Sequence, residues 1–481
     1  MKNEILILSA VLIPVLGAFV ALISGWVSAR LRNWLSFIFV SAAFFFSLAM
    51  LPEVFSGKVI TFAIPIPLGF NFILRADMLA VFMALVSSLI GAIIILYSFD
   101  YISHYPNQNE YYMMAVLFIG SMMGIVYSGN LIYLYLFWEI TAITSWRLIG
   151  FFREKQHILR ADKAFLVTAF GAFVMLIGFI MIYQQAGSFD LMEIKAALKT
   201  SPVSNIAATL ILFGILSKSA TLPFHTWLPD AGIAPSPVTA LLHAAVLVKI
   251  GVYVFARLFI ATFTFSNIWH VVIPWIAASS ALVSAGAALI DTDMKRVIAY
   301  STVSQIGFIF LGFAIGGEIG IAGALLYILM HGLAKGGLFL CAGIVEQNTK
   351  TKNITEMGGL IKTMPITAVS FLACAFSVMG VPPFGGFFSK YMVMSGAFNS
   401  GHLAIALSFL VGAFLTIIYL LRLFNLIFLG EPQRVPAKEG SPVMVASVMT
   451  LAVLSLLCGI YISYPSGVVQ ATVKQMLGMG I

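Results

Sequence analysis

Charged side chains are scarce in this chain: Lys, Arg, Asp and Glu make up 9% of its 481 residues, against 61% hydrophobic ones. That shortage excludes a water-soluble globule of this size, which needs far more polar surface to cover its core. Cysteine is nearly missing as well. Cys341, Cys374 and Cys458 lie in apolar runs without CxxC spacing, which indicates neither a disulfide framework nor a metal site. The chain has no haem-ligand pattern, iron–sulfur cysteine set or nucleotide loop, so no cofactor is expected and any redox chemistry would reside in partners. It also has no basic domain. The formal charge of +8 is scattered over short loops, which argues against a nucleic-acid partner and for a topology signal.

What is abundant is apolar length. With a mean hydropathy of +1.04 and recurring runs of roughly 18 to 25 residues, each enough to cross about 30 Å of hydrocarbon, the expected fold is an all-α polytopic membrane protein. A membrane barrel would show alternating segments of about ten residues instead. About 14 transmembrane helices are predicted by apolar length and by breaks at charged or Gly/Pro-rich loops. Their approximate limits are 4–26, 33–51, 77–99, 111–128, 130–152, 162–184, 204–226, 236–260, 269–290, 297–316, 319–345, 363–397, 402–428 and 441–462. The first run, Ile5 to Trp26, is long enough to span and is read as a helix, not a cleaved signal. Between the second and third helices "VITFAIPIPLGFNFILRAD" is too broken to span and predicts an exposed hairpin. No soluble domain is expected.

With both termini outside, the inner loops would hold Arg30, Arg32, Arg153, Lys155, Arg160, Lys163, Lys295, Arg296, Lys350, Lys352, Lys362, Arg434 and Lys438. Only Lys2, Lys58, Arg75, Lys195, Lys199 and Lys474 would lie opposite. This imbalance follows the positive-inside rule and places the chain in a cell (cytoplasmic) membrane.

Two predicted spans are interrupted alike. "SKSATLPFHTW" carries Pro223, and "MGVPPFGGFFSK" carries Pro382 and Pro383. Five helices separate them, so helices 4–8 and 9–13 form two units, and an odd number of helices per unit makes the second inverted. Paired Pro/Gly interruptions in inverted repeats point to an ion path. The expected segments are therefore 1–110 (three helices and hairpin), 111–260 (first repeat), 269–428 (second repeat) and 429–481 (C-terminal helix and tail).

A charge near a helix centre costs about 2.5–3.5 kcal/mol on insertion scales, so each one asks for a reason. Glu139 lies mid-run in "LYLYLFWEITAITSW", where a structural ion pair is the competing reading. Lys218 follows the apolar stretch Ile206 to Ile215, and a snorkelling stem is its alternative. His243 and Lys249 share "TALLHAAVLVKIGVYVFARL"; six helical residues would set them about 9 Å apart along the axis and roughly 120° around it, as successive stations. His331 and Lys335, four apart in "YILMHGLAKGGLFLCAG", share one helical face, among glycines that allow close helix approach or room for water. Lys390 closes "PPFGGFFSK" after the second interruption. Asp291, Asp293, Lys295 and Arg296 read as a solvated loop, and Arg147 as a snorkelling residue.

These residues resemble a known family. "LSKSATLPFHTWLPDAGIAPSPVTALLHAAVLVKIGVYV", "DMKRVIAYSTVSQIGFIFLG", "HGLAKGGLFLCAG" and "GVPPFGGFFSK" are similar to the core of the antiporter-like subunits of respiratory complex I, Mrp-type Na+/H+ antiporters and membrane-bound hydrogenases, over roughly residues 70–430. The resemblance implies that Glu139 and Lys218 form a modulating ion pair. It further implies that His243, Lys249, His331 and Lys335 are a central proton relay and that Lys390 is its terminal lysine. Two departures stand out: Ala172 follows Gly171 where long members often carry an acid, and the chain ends soon after its fourteenth helix, without a lateral helix or extra C-terminal domain.

The expected function is ion translocation, with protons as substrate and Na+ on a separate route left open, in a multisubunit complex with other membrane subunits in the lipid bilayer. A protonated lysine cannot ligate Na+, which favours protons on this row. The competing classes are a redox-enzyme subunit that contacts quinone and a stand-alone secondary transporter.

Overall fold

The computed structural model describes residues 2–67, 70–199, 201–431 and 438–479, the side chain of Lys2 excepted. Arg434, Leu68 and Gly69 lie outside the described residues. Helix α1 (Lys2–Val27) and helix α2 (Ala29–Phe55) lead to β1 (Ile60–Ile64) and β2 (Phe72–Ala76), an antiparallel hairpin with Ile60 opposite Ala76. The chain continues through α3 (Met78–Tyr101), α4 (Gln108–Tyr127), α5 (Leu131–Ile149), α6 (Lys155–Ala186), the short α7 (Leu191–Ala197), α8 (Asn205–Lys218) and α9 (Trp227–Asp230). Next come α10 (Ser236–Ala240) and α11 (Leu247–Phe255), which a π turn at Leu241–Ala245 joins and a second π turn at Ala256–Ile260 extends. The rest is α12 (Trp269–Ile290), α13 (Met294–Ile315), α14 (Gly317–Thr349), α15 (Pro365–Met379), α16 (Gly385–Asn399), α17 (Leu403–Phe428), α18 (Pro442–Ile460) and α19 (Ser463–Met476).

This is an all-α multi-pass membrane protein. Among the described residues, eleven helical stretches are long and apolar enough to cross a membrane, with α8 and α15 as shorter apolar helices. Helix is the state open to such sequence because hydrocarbon offers no partner to a free N–H or C=O. Side chains close the exposed helix starts: Asp77 accepts from Ala80 N–H, Asn130 from Ile132, Asp190 from Met192 and Ser204 from Ala207.

Burial sorts the helices. The stretch Ser236–Ile260 is buried except for half-buried Arg257 and Ile260, and α14 is buried over most of its length, whereas α1, α2, α6 and α17 keep broad apolar faces exposed, as lipid-facing helices do. Around α14 pack α13, α15, α16 and α18. The buried polar groups are therefore gathered at the centre, which is where a bilayer tolerates them.

The ends of the helices define two faces. On one, the hairpin meets the start of α5 and α7: Leu74 pairs with Ser128, Asn130 with Asp190, and Arg75 holds Asp190 through two N–H···O bonds of 2.7 Å. Burial alone would raise the Asp190 carboxyl, but Arg75 holds it below its ordinary value. On the opposite face Lys163 and Arg296 bind Asp230 at 2.8 and 2.7 Å and hold its half-buried carboxyl below the usual range in the same way.

Several expectations need correction. Lys155, Arg160 and Lys163 belong to α6, not to a loop, because that helix starts seven residues before the apolar run. The acid–base cluster at 291–296 is not a solvated loop: Asp293 caps α13, Arg296 binds Asp230 and Asp291, and buried Lys295 donates to Glu346 (2.8 Å) and the Ala234 carbonyl (2.8 Å). Arg147, together with Arg153, binds Glu110. The tail beyond α18 folds as α19, whose Gln475 accepts from Met78 N–H at 2.7 Å.

Candidate functional site

Two broken helices bring charge to mid-structure. α8 rises about 21 Å at 1.5 Å per residue, short of the hydrocarbon thickness, and ends on Lys218. The chain turns there on Ala220, at a left-handed φ of 51°, ahead of Pro223. A non-glycine residue in that region is uncommon and strained. The second break turns on Gly380 (φ 84°) before Pro382 and Pro383, and Lys390 sits in the second turn of α16.

Close helix approach sets the first lysine. A Cβ on Gly171 of α6 would meet Ser217 Oγ at 1.8 Å, and one on Gly251 of α11 would meet the Ile215 carbonyl at 2.7 Å. Glycine at both positions lets α6 and α11 clamp the end of α8. Lys218 is thereby fully buried, its Nζ donating to the Trp138 carbonyl (3.2 Å) and lying 5.4 Å from the Trp138 ring centre. Glu139, the next residue of α5, is half-buried, and its Oε1 is buried without a hydrogen bond. The implied ion pair is not closed in this structure: no N···O contact within 4.0 Å joins Glu139 to Lys218.

The central row is brought together. His243, Lys249, His331 and Lys335 are all fully buried, and Lys390 is 6% exposed. Lys249 Nζ lies 2.9 Å from His331 Nδ1 and donates to the Ile328 carbonyl at 3.1 Å. Lys335 Nζ donates to the Ile298 carbonyl at 3.0 Å. Tyr327 stands beside both His331, with ring centres 6.0 Å apart, and Lys390. His243 packs its ring on Phe339 at 4.3 Å with neither nitrogen hydrogen-bonded. Lys390 Nζ also lacks a hydrogen bond and faces the rings of Phe308 (5.1 Å) and Tyr327 (5.7 Å).

Two local expectations change. His243 and Lys249 do not lie on one regular α-helix, because His243 sits in the π turn closed by Val246 N–H to the Leu241 carbonyl (2.9 Å). The extra residue re-phases the helix, so the ideal offset between them does not apply, and π turns recur at functional sites. The glycines beside His331 and Lys335 leave no room for water: added Cβ atoms would meet Ile90 at 2.6 Å from Gly332 and Cys374 Sγ at 2.3 Å from Gly337. They serve close packing.

Some members escaped the sequence reading. Tyr327, one turn before His331 on α14, donates to Gln305 Oε1, and Gln305 Nε2 donates to Thr416 Oγ1 (3.2 Å) and Tyr419 Oη (3.3 Å). Tyr419 also bonds Ser301 Oγ at 2.7 Å. Extending the four-residue spacing back from Lys335 and His331 reaches Tyr327. Gln305 was visible as the amide in an otherwise apolar run.

Comparison with known proteins follows this geometry. Residues 128–416 match the family described as NADH:quinone oxidoreductase/Mrp antiporter, TM. Residues 64–112 match NADH-Ubiquinone oxidoreductase (complex I), chain 5 N-terminus. The chain is 35% identical over 425 residues to a Na(+)/H(+) antiporter subunit of Staphylococcus haemolyticus, covering 82% of this chain and 53% of that one. It is 34% identical over 465 residues to a Na(+)/H(+) antiporter subunit of Alkalihalophilus pseudofirmus, covering 89% and 58%. The chain thus spans little more than half the length of these relatives. Two solved structures share its fold at a TM-score of 0.91 and 23% identity. One is the Mrp complex from Dietzia sp., with 99% of this chain and 98% of that chain covered. The other is the membrane-bound sulfane sulfur reductase, an archaeal respiratory membrane complex, with 98% of each covered.

Proposed function

This chain belongs to the NADH:quinone oxidoreductase/Mrp antiporter family, and on that premise we propose that it is the proton-translocating subunit of a multisubunit membrane assembly. The observation that carries the reading is the buried Lys249–His331 contact, with buried Lys335 one turn after His331 on α14 and Lys390 beside Tyr327 one turn before it. So many titratable groups without a compensating carboxylate are costly in hydrocarbon and accumulate where ions move.

In this reading Glu139 and Lys218 modulate the row. At an effective dielectric of about 20, two unit charges 4 Å apart interact by roughly 4 kcal/mol, equivalent to about three pKa units. Closing and opening the pair would therefore switch the lysine's hold on its proton. The Lys218 Nζ–Trp138 carbonyl bond of 3.2 Å supports such an open arrangement. Protons then pass among His243, Lys249, His331 and Lys335, with Lys390 at the far end and Tyr327 between them. The relatives' names include Na+, which suits an exchange in which Na+ takes a path away from these lysines.

The fourth to eighth and the ninth to thirteenth predicted spans (111–260 and 269–428) act as inverted five-helix units around the two breaks, in a 14-span chain with both termini outside the cytoplasmic membrane. Support comes from the matching breaks and from the excess of basic residues on the face opposite the hairpin.

The test is proton translocation by the native assembly in proteoliposomes, with Glu139→Ala and Lys218→Ala compared to wild type and subunit composition checked by mass spectrometry. Reduced translocation with normal assembly is expected. Undiminished translocation in both variants would remove the ion-pair role. Transport by this chain alone would instead favour a self-sufficient carrier.

A further inference from the structure

A cavity of about 190 Å³ opens on the hairpin face, lined by Arg75, Asp77, Lys195, Arg257, Ala261 and Gln475 among others. Water needs only about 10–15 Å³ of such space and several polar partners, so this cavity is roomy and polar enough to be wet. Its rim includes exposed Met192 and Val59, so it opens to the outside of this chain on the hairpin face.

Arg257 in its lining stands two turns along the same helical stretch from Lys249. Lys249 and Tyr253 are one turn apart on α11, and Arg257 follows at the next turn, inside the second π turn. The two π turns of this stretch thus hold His243 at one end and Arg257 at the other, with Lys249 between them. Such turns are rare and cluster at functional sites, so the pairing singles out Arg257 independently of the cavity. Arg257 forms a bidentate pair with Asp77, and its Nε donates to Tyr253 Oη at 3.0 Å. Tyr253 in turn donates to the Val126 carbonyl at 2.6 Å. Its only proton is therefore committed to a carbonyl, and a lone pair is taken by Arg257. In this arrangement the hydroxyl cannot relay a proton.

We propose that this cavity is the mouth through which the buried proton row meets water on the hairpin face, and that Tyr253, Arg257 and Asp77 form its latch. The inference rests on the proton-row reading given above. When Arg257 swings with Asp77 into the cavity, the Tyr253 oxygen is freed. A proton leaving Lys249 Nζ can then bond to a water beside Tyr253 and pass to the cavity. The guanidinium stays charged throughout and takes no proton; it acts as a positioning group that closes the route to cations when latched.

The experiment places a charge in the mouth without touching the latch. The native assembly with Ala261→Cys is reconstituted and treated from the hairpin face with a cationic methanethiosulfonate, then with a small neutral one. Wild type controls for its own thiols, and Lys58→Cys controls for labelling elsewhere on the same face. The cationic adduct is expected to slow proton translocation roughly tenfold or more, as a unit charge a few ångströms from the route does at an effective dielectric of about 20. A reductant should restore the rate, and the neutral adduct should have little effect. Complete labelling with undiminished translocation overturns the proposal. If Ala261→Cys does not assemble, Met192→Cys at the exposed, uncharged rim carries the same adducts and the same two readings. Lys249→Met in parallel vesicles separates the two ideas: a silent adduct with a dead Lys249→Met removes the mouth and leaves the row, whereas normal transport by Lys249→Met removes both.

Discussion

The two broken helices share their punctuation but differ in mechanics. At the first, the turn residue is Ala220 at φ 51°, a conformation that costs a non-glycine residue on the order of 1–3 kcal/mol. At the second it is Gly380 at φ 84°, which pays no such penalty. The neighbours differ too. Where α6 presses on α8, a Cβ on Gly171 would meet the Ser217 side chain at both Oγ (1.8 Å) and Cβ (2.5 Å); where α15 meets α16, Gly386 faces the backbone carbonyl of Ser377 at 1.8 Å from a would-be Cβ. Gly459 of α18 closes on the Pro383 carbonyl in the same way. Lys218 has a carbonyl partner and Glu139 on the next residue of α5, while Lys390 meets only aromatic faces. A strained, adaptable break beside a carboxylate is suited to move; a relaxed, walled break is suited to hold a fixed station.

The sharpest way to probe this difference is to keep the charge and remove the exchangeable proton. Lys390→Arg should lower translocation by about 10²-fold, the scale of a lost proton-transfer group, because arginine does not deprotonate. Lys218→Arg should cost about tenfold, near one pKa unit of modulation; equal losses at both sites, measured in the same vesicles, would erase the distinction. Glu139→Gln should lower translocation roughly tenfold on the same scale. In double-mutant cycles it should be non-additive with Lys218→Met and additive with Lys390→Met, since only contacting or coupled residues deviate. Additivity with both lysines would detach Glu139 from the first break.

Stability measurements sharpen the mechanical side. Gly386→Ala and Gly171→Ala should each destabilise the purified assembly by about 1–3 kcal/mol, read as a lower melting temperature, with Gly386→Ala the larger because it meets backbone where Gly171 meets the Ser217 side chain. The smallest effects come from the turn residues and have opposite signs. Ala220→Gly should stabilise and Gly380→Ala destabilise, each by about 0.5–1 kcal/mol. A loss of stability in Ala220→Gly would mean that the first break holds no strain.

Much of this was legible in the sequence because lipid leaves a chain so few options. Apolar length marked the spans, and Pro223, Pro382 and Pro383 marked the breaks. A lysine or histidine inside such a run had no reason to be there except the interior. What stayed hidden depended on partners far along the chain. Lys295 looked solvated because its burial rests on Glu346 and the Ala234 carbonyl. The phase of His243 was lost because "LLHAAV" has ordinary helical propensity and nothing in it announces a π turn. Tyr327, Gln305, Thr416 and Tyr419 form a network across three helices that no single run reveals. The glycines near Lys335 admitted two readings, and only the position of Cys374 decides for packing.

The most direct test of the central claim is proton translocation by the reconstituted native assembly carrying Lys249→Met, with subunit composition verified. Loss of translocation, on the order of 10²-fold or more as for a removed proton carrier, is the predicted result. A Lys249→Met assembly that moves protons at the wild-type rate would contradict the account.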